Sequence, residues 1–442
     1  MTDLVIVGNG IAGVTVARHV RKRSNRHITI ISAETDHHFS RTALMYIFMG
    51  HMAYQNTKPY EDHFWKKNRI DLVRGYVTHL DTTAKILTLA NGDKIPYGQL
   101  VLATGSKSNK FGWPGQDLPG VQGLYSYQDV ELLEKNARGA SRAVIVGGGL
   151  IGIELAEMLL SRQIAVTFLV REKTYWSNIL PEEDSRLVSR HILEHGVDLR
   201  LSSELSEILA GPTGRVRAVR TASGEEIPCQ IVGLTPGVHP NIDLAKAGGV
   251  PTGRGILVND YLETQIPDVF SCGDCAEIEV PGDARNRVEQ LWYTGRMQGY
   301  ALAKTLCGDR TAYQRGIWFN SAKFMDIEYQ TYGFVANKPR SGEEHFYWEH
   351  PGGKIAARLV FDQADRAVTG MNFFGMRMKH PVCEGWIKGR RPVESVLSDL
   401  NAANFDPEFF RSYQRDIIAA FNQQYQASVP EPKRRFLQRF FA

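Results

Sequence analysis

The sequence predicts an α/β fold containing two doubly wound parallel-sheet units followed by an α+β segment, on three observations. A strand, a glycine-rich turn, a helix and a second strand run in order from LVIVGNGIAG to HITIIS near the N-terminus. The same order returns in AVIVGGGLIGIELAEMLLSRQIAVTFLV, whose first glycine lies about 140 residues further on. From residue 311 the pattern changes to stretches rich in β-branched and aromatic residues, as in RGIWFNSAKFMDIEYQTYGFV, the composition of a half-buried pleated sheet.

At 442 residues the chain is long enough for about two to four domains. Hydrophobic residues make up 43%, charged residues 23% and aromatics 10%, which excludes disordered and fibrous classes. No apolar run approaches the roughly 20 residues a spanning helix needs. The opening apolar run follows Asp3 and contains turn glycines, so it reads as a strand and turn rather than a signal peptide, and a cytoplasmic location is expected. Net charge is +4, and the last ten residues, KRRFLQRFFA, hold four basic residues and no acid, leaving the rest balanced. No basic face for nucleic acid is expected on the folded body.

In the first unit, Leu4 to Val7 form a buried-type strand and Gly8, Gly10 and Gly13 follow in G-x-G-x-x-G spacing. The helix then starts at Ile11 and Ala12 and carries Val14, Ala17 and Val20 on one face. The glycines serve a tight turn, a close backbone approach to a pyrophosphate and close helix-to-strand packing, and the helix start offers free N–H groups to an anion. Glu34, near the end of the second strand, is placed to accept ribose hydroxyls. In the second unit Gly147, Gly149 and Gly152 repeat the spacing around Leu150 and Ile151, and the strand from Ala165 to Val170 ends in Arg171 rather than an acid. Arg171 either pairs with a 2′-phosphate, favouring NADPH over NADH, or is a solvated strand-end residue. Two such Rossmann-like units imply two nucleotides on one chain.

Between the units, VTHLDTTAKILTLANGDKIPYGQLVLATGSKSN starts at Val77 and ends in an apolar strand with Ala103, Thr104 and Gly105. After the second unit, GILVNDYLETQIPDVFSCGDCAE runs into Gly273 and Asp274, and PGVHPN (236 to 241, with Gly237) and LWYTGRMQG (291 to 299) lie in order around it. In these residues, over roughly 1 to 310, the chain resembles the two-dinucleotide flavoprotein reductases, which include ferredoxin and rubredoxin reductases and the flavin part of nitrite reductases. The resemblance implies an FAD domain at 1 to 110 and 245 to 310, with an NAD(P)H domain at 111 to 244 inserted in it. It also implies an α+β interface domain at 311 to 428, of a kind often used for homodimers, ahead of a basic amphipathic tail at 429 to 442. The implied cofactors are FAD and NADPH or NADH, and the glycine, strand-end and turn positions named above become cofactor-binding residues. HHFSRTALMY (37 to 46) is similar to a flavin-contacting segment, which makes Arg41 and its neighbour Thr42 FAD contacts. Glu154 matches a glutamate beside the flavin, while Tyr46 stands where several relatives carry its lysine partner. These two are the expected catalytic positions, Glu154 orienting the nicotinamide amide or tuning the flavin.

By spacing alone Cys272 and Cys275 suit a redox dithiol, a metal clip or neither. The resemblance assigns the FAD ribityl chain to Asp274 and leaves the cysteines as its incidental neighbours. No second cysteine pair completes a zinc site, and His37 and His38 are expected at a turn or surface rather than as ligands. The implied reaction passes hydride from NAD(P)H to FAD and electrons on to a separate iron–sulfur protein, since residues 311 to 442 carry no four-cysteine cluster. The rival readings are a membrane-surface quinone reductase and a flavin-bearing protein whose redox state changes its interactions. For the first, Phe436, Leu437, Phe440 and Phe441 would form an apolar helical face with cationic flanks in 433 to 442, suited to a partner, the chain's own body or a membrane surface, the alternative being a disordered tail.

Overall fold

The computed structural model describes residues 3–280, 286–406, 408–409 and 411–431. The amphipathic tail expected at 433 to 442 lies outside the described residues. The chain divides into two compact units, Met1–Leu169 with Ser203–Arg315, and Val170–Ser202 with Gly316–Ala442.

In the first unit, five parallel strands stand side by side in the order Val269–Ser271, Gln99–Leu102, Leu4–Val7, Ile28–Ser32 and Ile70–Arg74. The central strands read LVIV and ITIIS and are buried at every position, as expected of a parallel sheet covered on both faces. On one face the helices Ile11–Arg21 and Trp292–Thr305 pack closely, because a Cβ on Gly299 would come within 2.6 Å of the Ala12 carbonyl oxygen. The other face packs an apolar layer of Val5, Val7, Ile31 and Leu100 against the antiparallel ribbon Val77–Asp81, Ile86–Leu89 and Lys94–Pro96. Residue 4 pairs with 28 and residue 7 with 102, so the Leu4–Val7 strand ends level with Leu102 and its turn meets Ala103.

The second glycine unit builds a separate parallel sheet in the order Ala165–Val170, Arg142–Val146, Ile231–Leu234 and Val121–Gln122. The helix Leu150–Ser161 covers it, and Gly233 leaves room for Leu155, whose Cδ2 would be 2.4 Å from an added Cβ. A three-stranded antiparallel sheet, Leu205–Ala210, Val216–Thr221 and Glu226–Pro228, follows.

The second compact unit is a five-stranded antiparallel sheet in the order Phe319–Phe324, Ile327–Gly333, Val368–Phe374, Ala356–Asp362 and Glu343–Glu349. The helix Gln414–Tyr425 buries Ile417, Ile418 and Phe421 in a core shared with Phe346, Phe361 and Trp386. This is the α+β segment expected after residue 311. The helix Glu182–Glu194 belongs to the same unit and sends Asp184 to Arg358 of the sheet.

Candidate functional site

A cavity of about 580 Å³ opens at the C-terminal ends of the first parallel sheet. That size suits a large organic ligand. Strand ends supply most of its wall, which is where doubly wound sheets bind ligands.

The first glycine turn forms its floor. Gly8 has φ +118° and lies so near the next strand that a Cβ would fall 2.0 Å from the Ala103 carbonyl oxygen. Gly13 sits beneath the turn, 2.2 Å from the Gly8 oxygen by the same measure, and does not line the cavity. Gly10 differs: nothing lies within 4 Å of a Cβ added there. It caps the Ile11–Arg21 helix without a side-chain hydrogen bond, so the N–H groups at Ile11 and Ala12 face cavity space with no side chain to satisfy them. An open cradle at an uncapped helix start fits the pyrophosphate of a dinucleotide.

Glu34 and Arg41, named separately from the sequence, are a pair. Arg41 donates through Nη1 to Glu34 Oε1 at 2.8 Å and through Nη2 to Oε2 at 2.5 Å. Arg41 also donates to the Tyr125 carbonyl and lies over the Tyr125 ring, 4.5 Å from its centre. Glu34 Oε1 accepts a further bond from the Tyr127 N–H at 2.9 Å. The fork geometry holds both side chains at the cavity rim beside Thr42.

Asp274 reaches the same Tyr125 from the end of the Val269–Ser271 strand. Gly273 has φ +81° and donates its N–H to Gln298 Oε1 at 2.7 Å, which turns the next residue inward. The Asp274 carboxylate accepts from Ser106 Oγ at 3.1 Å and from the Tyr125 hydroxyl at 3.3 Å. Burial pushes its carboxyl above the usual range, with Ser106, Arg41 and Tyr125 opposing. Tyr125 in turn accepts from the Ser106 N–H at 2.9 Å, and burial keeps its phenol protonated. Thr104 donates to the Asn241 carbonyl at 2.6 Å, which fixes the segment carrying Ala103 and Gly105. Val77 completes this side of the wall.

Glu154 and Ile151 project in from the Leu150–Ser161 helix. Glu154 is exposed to the cavity's open space, while the protein atoms crowded around its carboxyl keep it from the full solvation of a surface acid. Burial pushes its carboxyl up to about 7, with Glu157 adding to the rise. Its ordinary value is 4.5, so between there and about 7 the folded chain holds a proton that the unfolded chain has released. The contribution to stability therefore falls as pH rises through that window. Glu154→Gln is expected to melt close to the wild type at about pH 5 and above it at about pH 8. A difference in melting temperature that does not change with pH would show a carboxyl ionising as it does in water.

Other positions lie away from the cavity. Tyr46 sits on the five-residue helix Leu44–Phe48, where Leu44 and Met45 face the cavity and Tyr46 stacks on His51 at 6.1 Å instead. The second glycine turn stands apart at its own strand end. Gly147 has φ +116°, and its Cβ would lie 2.6 Å from the Thr235 oxygen. A Cβ added at Gly152 would lie 2.8 Å from the Gly147 oxygen, and Gly149 caps the helix start at Leu150 without a side-chain bond. Gly237, at φ +99°, has only Asn109 Nδ2 near an added Cβ, at 3.4 Å. Arg171 is 72% exposed and donates to Glu172 Oε1 at 3.0 Å.

Two expectations about ligand-type residues meet different outcomes. Cys272 and Cys275 are both buried free thiols, Cys272 packed in the helix-covered core layer of the first sheet and Cys275 in the layer on the other face. Cys272 does line the cavity, but burial holds its thiol well above the usual range. His38, expected at a turn or surface, is instead buried in the cavity wall and donates Nδ1–H to the Asn9 carbonyl at 2.7 Å. Burial lowers its pKa to about 4, so it is neutral. Sequence reasoning also missed Tyr125 and Gln290, which complete the network around Ser106.

Residues 2–299 match the pyridine nucleotide-disulphide oxidoreductase family, and the chain belongs to it. It is an oxidoreductase whose cofactors are FAD and a pyridine nucleotide. It is 30% identical over 372 residues to a ferredoxin–NAD(P)+ reductase of Sphingomonas sp., spanning 81% of this chain and 89% of that one. It is 32% identical over 331 residues to the rhodocoxin reductase of Rhodococcus erythropolis, spanning 73% and 76%. A nitrite reductase [NAD(P)H] of Bacillus subtilis is 30% identical over 331 residues, where the match spans 74% of this chain but only 40% of the longer protein. In fold the chain is similar to the ferredoxin reductase of Rhodopseudomonas palustris, with TM-score 0.78 and 22% identity over 95% of this chain and 99% of that one. Among the described residues no helix is long and apolar enough to cross a membrane.

Proposed function

We propose that the chain takes electrons from NAD(P)H onto FAD held in this cavity and hands them to a separate ferredoxin-like iron–sulfur protein. The Gly10 cradle and the uncapped helix start hold the pyrophosphate, the Glu34–Arg41 pair meets the adenosine ribose, and Asp274 accepts from the ribityl hydroxyls. Bound FAD supplies the redox chemistry, accepting a hydride and releasing electrons singly or in pairs. The protein's part is to orient and to exclude water. Glu154, neutral or charged near pH 7, has the place and the proton to hold the nicotinamide amide.

The observation that carries the choice of acceptor is the placement of the thiols. A disulfide substrate needs a low-pKa thiolate at the flavin, and the one cysteine in the cavity wall is Cys272, which burial keeps as a thiol. A one-electron protein carrier needs no such group. The ferredoxin–NAD(P)+ reductase and rhodocoxin reductase relatives support the same choice.

The test is anaerobic reduction of a purified [2Fe–2S] ferredoxin, driven by NADPH and by NADH. Fast reduction is expected, with NADPH preferred through Arg171. Arg171→Glu is expected to lower the NADPH-to-NADH ratio of kcat/KM by at least tenfold, about 1.4 kcal/mol. An unchanged ratio would make Arg171 a solvated residue. Electrons that reach quinone or oxygen but never the ferredoxin would overturn the acceptor assignment.

A further inference from the structure

The helix Glu182–Glu194 carries His191, and His195 caps its C-terminal end. Residues four apart lie on one helix face, and the two imidazoles meet edge to face with centres 4.4 Å apart. Both Nε2 atoms are aimed at the same oxygen. Asp326 Oδ1 lies 3.4 Å from His195 Nε2 and in direct contact with His191 Nε2. The three ligand-type atoms all lie within 4.8 Å of one another.

The surroundings hold these groups in ligating form. His195 donates Nδ1–H to the His191 carbonyl at 2.9 Å, which puts its free lone pair on Nε2. His191 Nδ1 lies 3.4 Å from the Glu194 carboxylate, an arrangement that orients metal-bound histidines. His191 is 1% exposed, and its Nε2 makes no hydrogen bond of ordinary geometry, although it points at Asp326. Asp326 occupies the two-residue turn between the Phe319–Phe324 and Ile327–Gly333 strands, where Met325 has φ +53° and Phe324 pairs with Ile327. Its second oxygen accepts from Lys354 Nζ at 3.1 Å, which leaves Oδ1 for the imidazoles.

We propose that His191, His195 and Asp326 bind a divalent transition-metal ion of the zinc class, with water completing the shell. The ion ties the helix to the hairpin tip. Two imidazoles and one carboxylate suit zinc, nickel or copper rather than magnesium or calcium. A tetrahedral zinc site has bonds of about 2.0–2.1 Å and so ligand atoms roughly 3.3 Å apart. His195 and Asp326 are 31% and 56% exposed and have room to close on the ion, while His191 is fixed by burial. The sequence shows the H-x-x-x-H spacing in SRHILEHG, but the carboxylate comes from far along the chain.

The test uses the full flavoprotein, freed of metal with a chelator and titrated with Co²⁺ and Zn²⁺. One equivalent of Co²⁺ is expected to give a d–d spectrum without a thiolate charge-transfer band, and Zn²⁺ should displace it. His195→Gln and Asp326→Asn are each expected to weaken binding at least tenfold while keeping the flavin spectrum and the metal-free melting temperature. Both side chains are partly exposed, so neither variant disturbs the core. No saturable binding, equal binding by both variants, or a thiolate band pointing to the cysteines would each overturn the proposal.

Discussion

Gly8→Ala is expected to yield a chain that neither folds stably nor retains flavin, whereas Gly10→Ala folds and loses only its hold on FAD. At Gly8 the added Cβ falls 2.0 Å from the Ala103 carbonyl oxygen, at a backbone angle of +118°. Neither partner can yield. The Gly8 N–H is bonded to the Ile31 carbonyl at 2.8 Å, and the Ala103 N–H to the Val7 carbonyl at 2.9 Å, so both strands hold the clash in place. The left-handed penalty of about 1–2 kcal/mol and an overpacking cost of about 1–3 kcal/mol add to roughly 4 kcal/mol, a large share of a domain's stability. At Gly10 the backbone is already extended, with φ −68° and ψ 179°, and the methyl meets nothing within 4 Å. Its stability without FAD should stay within about 0.5 kcal/mol of the wild type. The methyl instead occupies the space into which a pyrophosphate must come, and at least a tenfold loss of FAD affinity, about 1.4 kcal/mol, is expected. Apo-protein melting and flavin retained after dialysis separate the two effects. A Gly10→Ala protein that keeps its FAD would move the pyrophosphate away from this turn.

That contrast marks how far the sequence could be read. The glycine spacing announces both turns because Gly13 and Gly152 clash within their own motif, with the Gly8 and Gly147 carbonyls, while Gly8 and Gly147 meet the residue just past the end of the neighbouring parallel strand, Ala103 and Thr235, a neighbour every doubly wound unit supplies. Asp274 was legible through the Gly-Asp that follows an apolar strand. What joins it to the rest was not. Tyr125 lies 149 residues from Asp274, and its hydroxyl meets both that carboxylate and the Ser106 N–H. No spacing rule encodes such a contact, because only the completed sheet brings the segments together. Glu34 and Arg41 were each named, but their fork depends on how the chain folds back over residues 35 to 40. Tyr46 shows the opposite limit. Aligning it with a cofactor-side lysine assumed a helix phase, and the short Leu44–Phe48 helix turns Tyr46 toward His51. Two adjacent histidines read as a surface turn, but the Asn9 carbonyl gives His38 a buried partner.

The same dependence on distant partners sets the second large effect, at the other end of the helix that carries His191. Asp184, on the first turn of Glu182–Glu194, is fully buried, and Arg358 of the sheet is 3% exposed. Arg358 Nε donates to Asp184 Oδ2 at 2.8 Å, its Nη2 reaches Glu183 at 2.7 Å, and Asn372 Nδ2 adds a bond to Asp184 Oδ2 at 3.2 Å. Burial raises the Asp184 carboxyl, and Arg358 and Asn372 only partly offset it. Arg358→Met removes the larger offset and leaves the buried acid with Asn372 as its remaining side-chain hydrogen-bond donor. It is expected to destabilise the protein by about 3–5 kcal/mol, the usual cost of breaking a buried pair from one side. Removing both charges should behave differently, because a buried pair often contributes little net stability against well-packed apolar groups. Arg358→Met combined with Asp184→Leu is therefore expected to recover most of the loss in urea unfolding. If the double variant is as unstable as the single one, the helix is held by packing around Arg358 rather than by its charge, and the ion pair is not what seats it on the sheet.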